Sequence, residues 1–419
     1  MEICIFYQAY CMGVSRLAHY IIFIGVAVFL EGCVADKRQN TKIPPLPDND
    51  IRKRIMVGID FLDDAIRQNP SNAGAYQKRA ELYTQLDNWE KALNDANEAL
   101  DIESSNGSIL LTRAKILRHL NEYDQALSDA RRAEVLQQNT PELYVLLGDL
   151  TQRQRDYKKA KLYLTKALQM APYESEAYFY TGLVDAKQGD TLTAIVQMKK
   201  ALELKPNFLL PYIELTSIHA HLQMFDQAKY YNNTGLNYFP KASTLHYMRG
   251  EMYQQSRKLD SALIFYRKAT LYDSTNYVAE FQAGLIYLKW NNFWTAIKSF
   301  QKVARLNPKQ PQINFLLATA YDKIGNLAVA VEQYTLASEA EPNDWKIKGL
   351  LYRAQQRKNY FDTYGTLPPT TSQNTTQNAT TEQTPEKTLD PQDTKLEIIT
   401  PKLQLKTKVD TARSFKIKQ

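Results

Sequence analysis

Residues 243–276 read STLHYMRGEMYQQSRKLDSALIFYRKATLYDSTN, and residues 277–310 read YVAEFQAGLIYLKWNNFWTAIKSFQKVARLNPKQ. Laid one above the other, they share a glycine at Gly250 and Gly284, a tyrosine at Tyr253 and Tyr287, and an alanine at Ala262 and Ala296, each pair 34 residues apart. Carried outward at the same step, the alanine series is unbroken: Ala92, Ala126, Ala160, Ala194, Ala228, Ala262, Ala296 and Ala330. A second series of small residues runs Ala80, Ala114, Gly148, Gly182, Gly250, Gly284 and Ala318, interrupted by Thr216. A third runs Ala99, Ala133, Ala167, Ala201, Gly235, Ala269, Val303 and Ala337, and prolines follow it at Pro172, Pro206, Pro240, Pro308 and Pro342. A fixed period of this length marks one supersecondary unit repeated along the chain.

The composition points to helices. Among 419 residues only 15 are glycine and 17 proline, which predicts few backbone positions of positive φ and disfavours a β-rich or α/β enzyme. The formal net charge is +7, but residues 395–419 alone carry +5, so residues 33–394 are close to neutral. A nucleic-acid binder concentrates a basic stripe on its folded body, and this pattern argues against that class.

The spaced small residues, the tyrosines and the closing prolines resemble the tetratricopeptide repeat, a 34-residue helix-turn-helix unit. Counted from Ala73, eight contiguous units occupy 73–344. The resemblance implies an all-α, right-handed superhelical solenoid. In every unit but the fifth, which has Thr216, helix A carries a small residue at position 8, and in all eight helix B carries an alanine at position 20, which lets the two approach closely. Tyr76, Tyr144, Tyr178 and Tyr212 at position 4 fill the outer gaps, and the proline ends helix B. Residues 51–72 hold only the second half of a unit, with Gly58, Ala65 and Pro70 in register, and read as an N-terminal capping helix. Residues 345–362, with Ile347, Leu350, Leu351 and Ala354 at helical spacing, read as the C-terminal cap that a repeat array needs.

The ends have a different character. Cys4, Cys11 and Cys33 are the three cysteines, so no disulfide staples the remainder. Leu17 to Leu30 is an uncharged apolar run of fourteen residues behind Arg16, too short for a spanning helix and of the right length for a signal peptide over 1–32. It ends in Leu30-Glu31-Gly32-Cys33, which resembles the lipobox of bacterial lipoproteins. The resemblance implies that Cys33 is acylated and becomes the first residue of a membrane-anchored chain, and Glu31 departs from the small residue usual there. Residues 33–50 read as a tether, and 363–419 as a disordered linker, twelve of whose first 38 residues are Thr, followed by a basic tail. In that tail Leu403, Leu405, Thr407 and Val409 alternate with polar residues in the manner of an extended strand.

No nucleophile-base pair, metal cluster or phosphate loop is legible, so no enzyme, cofactor, metal or small-molecule substrate is expected. His219 and His221 stand two apart on a helix and face away from each other; His219 replaces the tyrosine of position 11 and reads as a packing residue. Function then rests on binding. In the tetratricopeptide family helix A lines the concave wall, and position 5 reads Gln77, Leu111, Val145, Phe179, Ile213, Tyr247, Phe281, Phe315 through the array. With Leu183 and Leu285 at position 9 and Leu288 at position 12, the residues Phe179, Ile213, Tyr247, Phe281 and Phe315 form either an apolar groove for a protein or peptide segment or the seam between neighbouring helices. Gln77 and Glu81 stand where some family members place the Lys and Asn that clamp a terminal carboxylate. The sequence thus reads as a non-enzymatic scaffold of the bacterial envelope, lipid-anchored in the outer membrane facing the periplasm, for assembly of an envelope machine. The alternative is a targeting or regulatory subunit of an inner-membrane enzyme complex.

Overall fold

The computed structural model describes residues 51–310 and 312–366. The leader, Cys33 and the tether, and the linker and basic tail beyond 366, lie outside the described residues. Every regular element among the described residues is an α-helix, eighteen in all. Two compact units divide the chain, the first ending at Leu120 and the second starting at Asn121.

The first unit holds α1 (Ile51–Gln68), α2 (Ala73–Gln85), α3 (Trp89–Ile102) and α4 (Gly107–His119). Its small core is Ala80, Ala92, Ala96 and Ile116, closed by Tyr83, Trp89, Leu93 and Leu120. The apolar stripe Ile55, Ile59 and Ile66 gives α1 its buried side, and α1 packs against α2. One guanidinium ties three helices: Arg79 of α2 donates to Asp63 of α1 and, through two nitrogens, to Asp95 of α3, all at 2.6–2.7 Å. A forked, charge-assisted contact of this kind fixes orientation as well as adding energy. These hydrogen bonds, that to Asp95 first, hold the Arg79 pKa above its ordinary value, against the opposing effect of burial.

The second unit holds α5 (Tyr123–Val135), α6 (Pro141–Arg153), α7 (Tyr157–Met170), α8 (Ser175–Gln188), α9 (Thr191–Leu204), α10 (Leu209–His221), α11 (Phe225–Tyr238), α12 (Ser243–Gln255), α13 (Leu259–Tyr272), α14 (Tyr277–Lys289), α15 (Phe293–Leu306), α16 (Ile313–Lys323), α17 (Leu327–Ala340) and α18 (Trp345–Tyr364). From α6 to α17 the helices pair as A with B, and each pair packs on the next through neighbouring helices. On α18, Ile347 and Ala354 turn inward, Ala354 joins Ala318 and Tyr334, and Arg357 pairs with Asp322 of α16.

The alanine series explains the pairing. All eight alanines from Ala92 to Ala330 are completely buried, because at these points a larger side chain would hold the helices apart. Position 24 of helix B is large wherever position 8 of helix A is glycine. Ala80 has Ala96 at that place, whereas Gly148, Gly250 and Gly284 lie beneath Leu164, Tyr266 and Phe300. A Cβ added at Gly250 or Gly284 would come within 2.6 Å of those rings.

The turn between A and B corrects the expectation drawn from glycine scarcity. Position 15 is left-handed in every repeat, at Asp87, Asn121, Arg155, Gly189, Gln223, Arg257, Asn291 and Gly325, and six of the eight are not glycine. The turn needs one αL residue after helix A, and ordinary side chains bear that conformation here at a cost on the order of 1 kcal/mol each.

Candidate interaction surface

Helix A of each repeat presents positions 5, 9 and 12 along one side, and the structure decides how much of that side is open. Phe179, Leu183, Tyr247, Phe281 and Leu288 are buried, whereas Ile213, Leu285 and Phe315 are half-buried. The first five therefore belong to the seam and do not form an open groove wall. The reason lies across the helix pair. Position 5 meets the bulky position 24 of helix B, giving ring pairs Tyr247–Tyr266 at 5.7 Å, Phe281–Phe300 at 6.1 Å and Phe315–Tyr334 at 6.2 Å between centroids. Phe179 instead packs edge-on against Phe208 at 5.2 Å. The signal that reveals this was present in the sequence as the series Tyr266, Phe300, Tyr334, which the groove reading left out.

Above those rings lies a polar layer. The Tyr247 hydroxyl donates to Glu251 Oε1 at 2.6 Å, the Tyr266 hydroxyl donates to Gln254 Oε1 at 2.8 Å, and Gln254 Nε2 donates to Gln282 Oε1 at 3.2 Å. Burial pushes the Glu251 carboxyl up to about 7, and the hydrogen bond from Tyr247 opposes that rise only in part. In α6, buried Asp149 accepts from Arg153 Nε at 3.0 Å and from Gln152 Nε2 at 3.1 Å, while Gln152 Oε1 is buried with no partner among the described residues. In the first unit Gln77 Nε2 reaches Ser108 at 2.9 Å and Thr112 at 3.0 Å. That side chain is held within the protein and is not positioned as a carboxylate clamp.

Such a face offers amide and carboxyl groups over an apolar floor, with Ile213, Leu285 and Phe315 breaking its surface. His219 is buried against Tyr231, its Nδ1 bound to the Leu215 carbonyl at 2.7 Å, as a packing residue would be. Among the described residues no group of three His, Cys, Asp or Glu is arranged to hold a metal ion, and no helix is long and apolar enough to cross a membrane.

The helix pairs match family models described as the tetratricopeptide repeat, over residues 141–174 and 243–276 for one model and 281–344 for another. These stretches are tetratricopeptide repeats. The matching models describe this repeat and indicate no catalytic family. No curated protein matches in sequence. Among solved structures, the APC/C hetero-tetramer Cut9–Hcn1 is similar with a TM-score of 0.51 at 17% identity, over 72% of this chain and 59% of that one. This likeness shows a shared helical-repeat fold, and this chain spans 59% of the length of that structure. A tetratricopeptide repeat protein from Parabacteroides merdae is matched at a TM-score of 0.44 and 16% identity, over 59% of this chain and 98% of that one. YrrB, a tetratricopeptide repeat protein described as having an unusual peptide-binding site, is matched at 0.31 and 20%, over 52% and 95%.

Proposed function

We propose that this tetratricopeptide repeat protein is a non-enzymatic scaffold of the bacterial cell envelope, anchored through Cys33 in the outer membrane and facing the periplasm. It binds a protein or peptide segment along the helix-A face of its second unit. The supporting observation is the composition of that face: half-buried Ile213, Leu285 and Phe315 set beside the hydrogen-bonding groups of Glu251, Gln254 and Gln282. An extended segment carries its own unpaired amides and carbonyls, and a partner surface must satisfy them as it covers the apolar residues. This face supplies the apolar residues, with Glu251 Oε2 beside them as a carboxyl oxygen that Tyr247 does not engage. The groove is therefore narrower than the stripe of eight residues read from the sequence, since five of those eight side chains already face protein.

Anchoring rests on the Leu30-Glu31-Gly32-Cys33 motif behind its apolar run. Acyl chains contribute about 0.8 kcal/mol per buried CH₂, so a multiply acylated cysteine holds a chain on a membrane firmly. Labelling cells with a fatty acid tests it. The parent chain is expected to take up label and to mature, and Cys33→Ser to remain an unlabelled precursor; equal labelling of the two would remove the anchor from the account. A separate arm tests the face: Leu285→Asp with Phe315→Asp is expected to abolish co-purification of a partner with the folded fraction, whose helicity is checked by circular dichroism, and undiminished co-purification would contradict it.

A further inference from the structure

The position-4 residue of helix A has the same task in three successive repeats. The Tyr178 hydroxyl donates to the Pro172 carbonyl at 3.1 Å, the Tyr212 hydroxyl to the Pro206 carbonyl at 3.0 Å, and His246 Nε2 to the Pro240 carbonyl at 2.9 Å. Each ring plugs the outer gap between successive B helices and pins the turn in front of its own helix. In the next repeat both parts are missing. Position 4 is Glu280, and the proline is replaced by Ser274.

Without the ring, a cleft of about 410 Å³ opens between α13 and α15 with α14 as its floor. Its lining is cationic: Arg267 from α13, and Lys298, Lys302 and Arg305 from α15, against the single carboxylate of Glu280. That carboxylate is already occupied, accepting from Ser299 Oγ at 2.7 Å and from Lys302 Nζ at 3.0 Å. Arg267 donates one N–H to the Tyr287 hydroxyl at 2.8 Å, which leaves its charge uncompensated. Lys298 and Arg305 have no ion-pair partner among the described residues. The cleft therefore carries an excess of three positive charges.

We infer that this cleft, on the side of the repeats away from the helix-A face, is a second docking site that takes an extended acidic segment of a protein partner. The shape of the charge selects that ligand. Lys298, Lys302 and Arg305 stand at i, i+4 and i+7 on one helix, a line of about 10 Å at 1.5 Å per residue. An extended chain places alternate side chains about 6.6 Å apart on one face, so two or three carboxylates at alternate positions match the line. A single phosphoryl group needs its cations converging on one point, and here they are strung out. Exposed Leu271 at the lip offers an apolar contact to the residue between two acids.

The test is fluorescence anisotropy at low salt with the full chain and a labelled peptide of ten residues alternating Glu and Ser, with the Gln/Ser peptide as blank. Saturable binding is expected, weakened at least tenfold by Lys298→Glu with Arg305→Glu. It should stay within twofold in the control Lys199→Glu with Lys229→Glu, which makes the same change of charge on exposed lysines of other helices. Glu280→Tyr separates cleft from charge: it raises the local positive charge by one while restoring the plug. The proposal predicts a tenfold loss for it, whereas simple charge attraction predicts a gain. An unchanged or tighter affinity in Glu280→Tyr, or an unchanged affinity in Lys298→Glu with Arg305→Glu, would overturn the proposal and place binding elsewhere, such as on residues 395–419. Displacement of the peptide by inorganic phosphate at equal charge concentration would overturn it in favour of a phosphoryl ligand. The Leu285→Asp and Phe315→Asp variant should bind the acidic peptide as the parent does, so the two docking faces fail or stand independently.

Discussion

Two glycines with opposite surroundings test the packing at single positions. At Gly284 a methyl group would press within 2.6 Å of the Phe300 ring, which is fully buried and has no room to withdraw. Gly284→Ala is expected to lower stability by about 1–3 kcal/mol through overpacking. Gly349, inside α18, has nothing within 4 Å of the same hypothetical atom, so Gly349→Ala is expected to raise stability by about 0.5–1 kcal/mol through helix propensity. Urea unfolding of both variants reads the two signs, and a stabilised Gly284→Ala would contradict the close approach of α14 and α15. A further single-residue prediction comes from Glu251. Its folded-state carboxyl titrates near about 7, above the ordinary 4.5, so the folded state holds a proton that the unfolded chain releases. Its contribution to stability is complete below about pH 4.5 and is lost as pH rises through about 7, a loss on the order of 3 kcal/mol. Glu251→Gln keeps an acceptor for the Tyr247 hydroxyl and has no proton to lose. It is expected to match the parent near pH 4.5 and to exceed it in stability at pH 8; a parent chain of equal stability at both pH values would refute the assignment. Neither Gly284 nor Glu251 could be ranked from the sequence, because the cost at each is set by the ring or hydroxyl that tertiary packing brings to it.

At the scale of elements, the helix ends distinguish one region from its neighbours. Most helices of both units begin on a side chain that accepts a backbone N–H, for example Asn88, Asp156, Asp190, Asn276, Asn292 and Asn326. Four consecutive helices, α10 to α13, begin instead at Phe208, Met224, Ala242 and Lys258, with no side-chain cap. Each missing cap costs about 1 kcal/mol. Thr216, Asn232 and Gly235 also depart from the small or apolar residues of the other repeats in this region, a departure that by itself suggests buried polar groups as a source of weakness. Asn232 is buried yet satisfied, donating to the Leu245 carbonyl at 2.9 Å and accepting from Arg249 Nε at 2.8 Å, and the Thr216 hydroxyl donates to the Tyr212 carbonyl at 2.7 Å. Uncapped ends, rather than buried polar groups, supply the weakness. Amide exchange within the second unit is therefore expected to be fastest over residues 208–258, and Met224→Asp to slow it around α11. Equal protection from α6 to α17, or no response to that substitution, would count against this reading.

Over the whole molecule, the period of 34, the helix pairs and the small residues between them were legible, because close helix packing demands Ala or Gly at fixed places whatever surrounds them. The binding face was legible only in part. Apolar residues at position 5 satisfy a groove and a seam equally well in a one-dimensional pattern, and the choice depends on the size of position 24 across the pair. The cationic cleft was hidden for a related reason: Glu280 reads as one more surface acid until Tyr178, Tyr212 and His246 of the preceding repeats are seen to be plugs. The central functional claim is that a partner chain lies along the helix-A face of the second unit, over Ile213, Leu285 and Phe315. Its most direct test is photo-crosslinking in intact cells, with the crosslinking amino acid placed in turn at Leu285, at Phe315 and at Ile264, an apolar residue exposed on helix B. The account predicts the same discrete crosslinked band from Leu285 and Phe315 and none from Ile264. A band from Ile264 alone, or the same band from all three positions, would contradict it.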